Sequence, residues 1–291
     1  MTPLDMKKNI LILIKRFFDI GKRAFSMMSS PYYQGFPAQM AFYMLLSFVP
    51  IVIVLSQVLG IFDISVRYIY RIMERYVSGD LSKTMESLFS YKPSGANNII
   101  LTATAAWAAS KVMTPMHRLS NYTYTEGEYT SKGLVKERIK SIVMVIILVA
   151  TLVFTLVVLV YGKMLMRLTI GAVSDNSVVD VLWTYLRWPI NILLYFMIVS
   201  INYYIMPSEK IKFVDIIPGS LFCSIGMMIA TIGFSIYASQ IANYDIIYGS
   251  LSSIVAVMFW LFLLAQIFCL GVVFNKAWVD SRDEFRTEIL K

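Results

Sequence analysis

Residues 185–220 read YLRWPINILLYFMIVSINYYIMPSEKIKFVDIIPGS, and the order of charge, proline and apolar length in them decides the fold. Arg187, Trp188 and Pro189 open an almost unbroken apolar run that ends at Pro207. A short polar turn follows, Ser208 to Lys212, and a second apolar run then starts at Asp215 and Pro218-Gly219. Each run is long enough for a helix to cross hydrocarbon, which takes about 20 apolar residues. The stretch therefore reads as two membrane spans joined by a tight polar turn, each carrying one charge and one proline near its start.

The whole chain supports that reading. Of its 291 residues, 58% are hydrophobic and 15% charged, and its mean hydropathy is +0.67. Soluble domains carry about 25% charged residues. Working outward from 185–220, the same pattern predicts six spans, at 37–62, 98–115, 141–165, 181–206, 214–237 and 250–278. Residues 1–291 then form one integral membrane domain, all-α. Residues 6–28 read as a basic amphipathic helix lying on the membrane surface, with Leu11, Ile14, Phe18, Gly21, Phe25 and Met28 on its apolar face. A helix packed on the protein is the alternative. Residues 63–97 read as an amphipathic region on the outer side, and 116–140 as a polar loop.

Span 98–115 is rich in small residues, which let helices approach closely. Span 141–165 looks lipid-facing. In span 214–237, Gly219, Gly226 and Gly233 recur every seventh residue on nearly one helical face and mark a close contact or a hinge. Cys223 and Cys269 lie inside apolar runs and read as packing residues.

Six spans put both termini on one side. Most lysines and arginines outside the spans fall in the segments that share that side, so the positive-inside bias places both termini in the cytoplasm. The net charge of +8 is explained by this pattern and by anionic lipid headgroups, without a nucleic-acid partner.

Several motifs together resemble the YihY/virulence factor BrkB family of bacterial inner-membrane proteins. They are AQMAFYMLLSFVPIVIVL (38–55), WAASKVMTPMHRLSNYTY (107–124), LRWPINILLYFMIVSINYYIMP with DIIPGS, and YGSLSSIVAVMFWLFLLAQIFCLGVVFN (248–275). Two positions depart from the family pattern. Lys111 stands where the family more often has arginine, so a bidentate anion clamp does not carry over. Asn275, preceded by Val272-Val273-Phe274, stands where the family often has an acid, so a charge relay there does not carry over. The resemblance implies a bacterial cell (inner) membrane location. A ribonuclease label attaches to the family, and some members are linked to serum resistance and envelope lipid handling.

The residues argue against that ribonuclease chemistry. Such a site needs a cluster of His and acid around metal, or a histidine pair. The chain has one histidine, His117, and its acids are scattered. No phosphate-binding loop and no nucleophile elbow occur. No catalytic residue, metal or cofactor is expected, and the chain is not read as an enzyme.

What remains is polarity inside the spans. A charge at mid-membrane costs about 2.5–3.5 kcal/mol, so such groups face an interior or a cavity. Arg187 in the fourth span, Lys111 near the inner end of the second and Asp215 at the inner start of the fifth are the candidate binding charges. Gln39, Asn191 and Gln266 supply neutral polarity. Lys111 and Asp215 share a depth and are candidate partners. Arg187 sits toward the other face and would meet an anionic headgroup. The reading this favours is a transporter or flippase-like protein for an anionic envelope lipid or related amphiphile, with membrane lipids as partners. A non-transporting membrane scaffold for envelope proteins and a small-solute exporter are the alternatives.

Overall fold

Two prolines set the first helix boundaries. Helix α1 spans Pro3–Met28 and α2 spans Pro31–Ile61. Pro31 occupies the first position of α2, where its missing N–H costs nothing, and it disfavours helical backbone in the residue before it. In the joint, Ser29 Oγ donates to the Phe25 carbonyl at 2.8 Å, capping the end of α1. The coordinates are a computed structural model that describes residues 3–61, 103–104, 107–128, 133–169, 176–240 and 251–289. The expected outer-side region 63–97 and much of the second span lie outside the described residues.

The described elements are all helical. After a 3-10 turn at Ser110–Val112 come α3 (Met113–Tyr124), α4 (Leu134–Thr169), α5 (Asn176–Ile205), α6 (Phe213–Gln240) and α7 (Ser252–Ile289). Residues 116–124, expected as part of a polar loop, are helix instead, and 134–140 open α4. Helix α3 stops where Glu126 and Gly127 turn to positive φ, 54° and 92°. The turn between α5 and α6 runs from Met206 to Lys212 and includes the polar turn expected at Ser208 to Lys212.

Three helices among the described residues are long and apolar enough to cross a bilayer: Val135–Thr155, Phe213–Tyr237 and Ile254–Arg282. Ile192–Ile205 is a shorter apolar helix. Helix α7 is 38 residues long, which at 1.5 Å per residue is about 57 Å, well beyond a hydrocarbon core of about 30 Å.

The chain divides into two compact units. The first comprises residues 1–42, 115–137 and 199–291, with α1, α3, α6, α7 and the end of α5. In it α7 packs against both α6 and α1. Helix α6 buries Ile216, Cys223 and Met227. Helix α7 buries Ala265, Phe268, Cys269, Val272, Val273 and Ala277. The remaining side of α6 exposes Val214, Leu221, Ile225, Ile229, Ile232 and Ile236 at helical spacing. Such an aliphatic stripe suits hydrocarbon rather than water.

The second unit comprises residues 43–114 and 138–198. In it Ser47 Oγ donates to the Ala108 carbonyl at 3.2 Å, and Arg138 lies over the Trp107 ring at 3.8 Å. Helix α4 is two-faced rather than wholly lipid-facing. It buries Met144, Val145, Val149 and Val153 and exposes Val143, Ile146 and Phe154.

Candidate functional site

Of the residues singled out from sequence, Gln39, Asp215 and Gln266 lie in the first unit and Lys111, Arg187 and Asn191 in the second. Asp215 lies in the first turn of α6, and its carboxylate accepts from Arg282 Nη1 at 2.8 Å. Arg282, not the expected Lys111, is therefore its ionic partner. Arg282 lies beyond the expected last span, 250–278, but α7 continues unbroken to Ile289 and brings Arg282 alongside the start of α6. Lys111 is exposed in the 3-10 turn, Gln39 is exposed on α2, and Gln266 is half-buried on α7. Arg187 and Asn191 lie on α5, and their side chains fall outside the described part of the structure.

What the first unit brings together is a polar layer built on α3. His117 and Asn121, one turn apart, share a face. His117 Nδ1 meets the Met206 carbonyl at 2.9 Å, and Asn121 Oδ1 accepts from the Ser208 N–H at 2.8 Å. The pair thus holds the turn that reverses the chain between α5 and α6. Thr123 Oγ1 donates to the Leu119 carbonyl and meets the Tyr33 hydroxyl at 3.1 Å. Tyr32 stacks on Tyr122 with ring centres 3.7 Å apart. Past the end of α3, Glu126 and Asp280 both accept from Lys276 Nζ, each at 3.0 Å.

Electrostatics follow the burial. The Tyr124 phenol is raised well above the usual phenol range, first by burial and then by the negative charges of Asp215 and Asp280. Burial also raises Tyr33, against a lowering by its hydrogen bond with Thr123. Arg16 on α1 is lowered by burial and then by the nearby positive charge of Arg282.

Next to this layer, α6 and α7 approach closely where Gly219 faces Gly271. A methyl group placed on Gly219 would overlap the Gly271 carbonyl oxygen and the Asn275 amide. One placed on Gly271 would overlap the Tyr203 hydroxyl and sit 3.0 Å from Cys223 Cβ. Pro218 carries no N–H and removes a bond from the α6 ladder. The following N–H, that of Gly219, donates to Asn275 Oδ1 at 2.6 Å. Tyr203 donates its hydroxyl proton to the Phe268 carbonyl at 2.7 Å, tying α5 to α7. Cys223 and Cys269 are free and buried in this packing, as their apolar settings suggest. The amide nitrogens of Asn121 and Asn275 are buried without a hydrogen-bond partner.

The glycine stripe then opens. At Gly226 an added methyl would stand 3.0 Å from Ile267, and at Gly233 it would meet nothing within 4 Å among the described residues. Side chains bridge the wider spacing there: Trp260 Nε1 lies 3.4 Å from Thr231 Oγ1, and the Phe234 and Phe259 rings are 6.0 Å apart. The helix pair is thus closed on backbone at Gly219 and open at Gly233. The pair therefore meets on backbone at one end and through hydroxyl and aromatic side chains at the other. Among the described residues, no group of three or more His, Cys, Asp or Glu is placed to hold a metal ion.

Sequence reading missed Asn121, Tyr203, Lys276 and Arg282 as structural organisers. The signal available for Asn121 was an asparagine four residues after the histidine in an otherwise unassigned polar stretch.

Comparison with known proteins matches residues 24–289 to the family Virulence factor BrkB. A ribonuclease-like protein of Bacillus subtilis strain 168, YfkH, is 28% identical over 83% of this chain and 88% of its own length. A UPF0761 membrane protein of Vibrio cholerae serotype O1 (El Tor Inaba N16961) is 28% identical over 43% of this chain and 47% of its own length. A UPF0761 membrane protein of Prosthecochloris aestuarii is 32% identical over 24% of this chain and 19% of its own length. No solved structure matches.

Proposed function

The chain belongs to the Virulence factor BrkB family of membrane proteins, and we propose that it moves an anionic envelope lipid, or a related amphiphile, along the α6–α7 cleft. The observation that carries the reading is the change along one glycine stripe, from backbone contact at Gly219 to space at Gly233 that no described residue fills. A pair fixed at one end and spread at the other can admit an acyl chain sideways while the fixed end keeps its register. The bare aliphatic side of α6 adjoins that cleft. In this reading the chain has six spans in a bacterial inner membrane, the Gly219 end faces the cytoplasm, and Arg187, in the other unit, is a separate candidate contact for anionic headgroups. No enzymatic step is invoked.

The test is lipid movement in proteoliposomes carrying a fluorescent phosphatidylglycerol reporter. Wild-type protein is expected to exceed protein-free vesicles. Gly233→Phe, which fills the cleft, and Arg187→Ala are expected to bring the rate down toward that baseline. Wild-type vesicles that move the reporter no faster than empty ones would contradict transport and favour the membrane-scaffold reading.

A further inference from the structure

Helix α1 has two working sides. Ile20, Ala24 and Met28 are buried, and α1 packs against α7. Arg16 fixes that contact, with its guanidinium 4.2 Å from the Trp278 ring centre and its Nε 3.3 Å from Ser281 Oγ. Met28, read from sequence as part of the same apolar face as Phe18 and Phe25, is on the packed side. Phe18 and Phe25 are instead 74% and 70% exposed. At 3.6 residues per turn they point away from Ile20. Lys15 and Lys22 are also exposed. The four positions 15, 18, 22 and 25 alternate Lys-Phe-Lys-Phe at spacings of three and four, so they form a single stripe. Asp19, four residues after Lys15 and three before Lys22, borders the stripe, which with it keeps a net positive charge.

The depth of the stripe follows from α7. Its apolar span, Ile254–Arg282, exceeds the roughly 20 residues that cross hydrocarbon. Counted from Ile254, the helix leaves the hydrocarbon near residue 273. Trp278 then lies at headgroup level, where tryptophan is favoured. Arg16 holds α1 at that same level. Two aromatic rings and two ammonium groups, alternating and outward at headgroup depth, match the edge of a bilayer carrying negative charge. Phenylalanine enters the acyl boundary while lysine reaches phosphate.

We propose that the Lys15–Phe18–Lys22–Phe25 stripe of α1 is an anionic-lipid docking surface, and that Arg16 and Trp278 join it mechanically to α7. This surface is separate from the cleft and does not depend on lipid movement through it.

The test uses full-length protein in nanodiscs of phosphatidylcholine, with and without phosphatidylglycerol. Phe18→Cys and Phe25→Cys each carry a bimane label, and lipids bearing a nitroxide high on the acyl chain act as quencher. Unsubstituted protein controls for labelling of Cys223 and Cys269. The proposal predicts quenching in discs containing phosphatidylglycerol, lost in pure phosphatidylcholine and lost with Lys15→Glu/Lys22→Glu. Labels that stay in water in both discs overturn it. Equal quenching in both discs, unmoved by the charge reversal, also overturns it, leaving plain apolar contact.

Discussion

Gly219 and Gly233 occupy the same stripe of the same helix, yet a methyl added at the first would overlap backbone, while one added at the second would meet nothing within 4 Å among the described residues. The difference comes from the partner. Opposite Gly219 stands Gly271, with Asn275 one turn on, so α7 presents a backbone carbonyl and one side-chain amide that accepts from the Gly219 N–H. Opposite the other end, Phe259 and Trp260 hold the helices apart. Spacing within one helix selects a face; the residues of the neighbour set the distance.

The largest expected effect tests that contrast. Gly219→Ala introduces a methyl where none fits, and overpacking of this kind costs about 1–3 kcal/mol. That exceeds the gain of at most about 1 kcal/mol from replacing a helical glycine. Thermal unfolding in detergent should therefore fall clearly for Gly219→Ala, while Gly233→Ala should be neutral or slightly stabilising. Equal responses at both ends would remove the contrast.

Asn275→Ala comes next. It strips the acceptor from the buried Gly219 N–H, a loss of about 1–3 kcal/mol. The same melt should report it, and Asn275→Ala combined with Gly219→Ala should cost less than the sum, since both act on one contact. Tyr203→Phe keeps the ring and loses the hydroxyl with its bond to the Phe268 carbonyl, so about 1 kcal/mol is expected.

The polar layer has its own signature in pH. Burial and two carboxylates raise the Tyr124 phenol. A group with a raised folded value holds its proton more firmly when folded. Its contribution is complete below the ordinary phenol value of about 10 and is lost as pH rises through the folded one. Alkaline titration followed by tyrosinate absorbance should show a late-ionising class that loses one member in Tyr124→Phe. Simultaneous ionisation of all tyrosines near the ordinary value would contradict the burial argument. The smallest effect belongs to Arg282→Ala, whose ion pair with Asp215 is partly exposed and contributes about 0–1 kcal/mol.

These contrasts also mark what sequence made legible. The polar turn at 208–212 shows directly, because polar punctuation acts locally, though the helix already ends at Ile205. The apolar helices show because hydrocarbon selects for length and composition. Helix α3 did not. Its buried polar face is satisfied by Met206, Ser208 and Tyr33, more than 80 positions away in sequence. Without those partners the segment looks like loop. Arg282 lies beyond the expected last span for a related reason, since the end of apolarity in α7 is not the end of its helix. Asp215 was visible as an unusual acid at the start of a span, but its partner depended on that continuation. The apolar face of α1 was visible too, while its division between protein and surroundings required α7.

The most direct measurement of the central claim compares the two ends of the stripe in a bilayer. Gly219→Cys, if it folds, and otherwise the adjacent Ser220→Cys, serves as the closed-end probe; Gly233→Cys serves as the open-end probe. Each carries a spin label in nanodiscs, and contact is read from relaxation by paramagnetic acyl chains. The account predicts strong acyl contact at 233 and little at the closed end. Equal shielding at both positions would show that the cleft is shut along its length, and would remove the basis for a lipid path between α6 and α7.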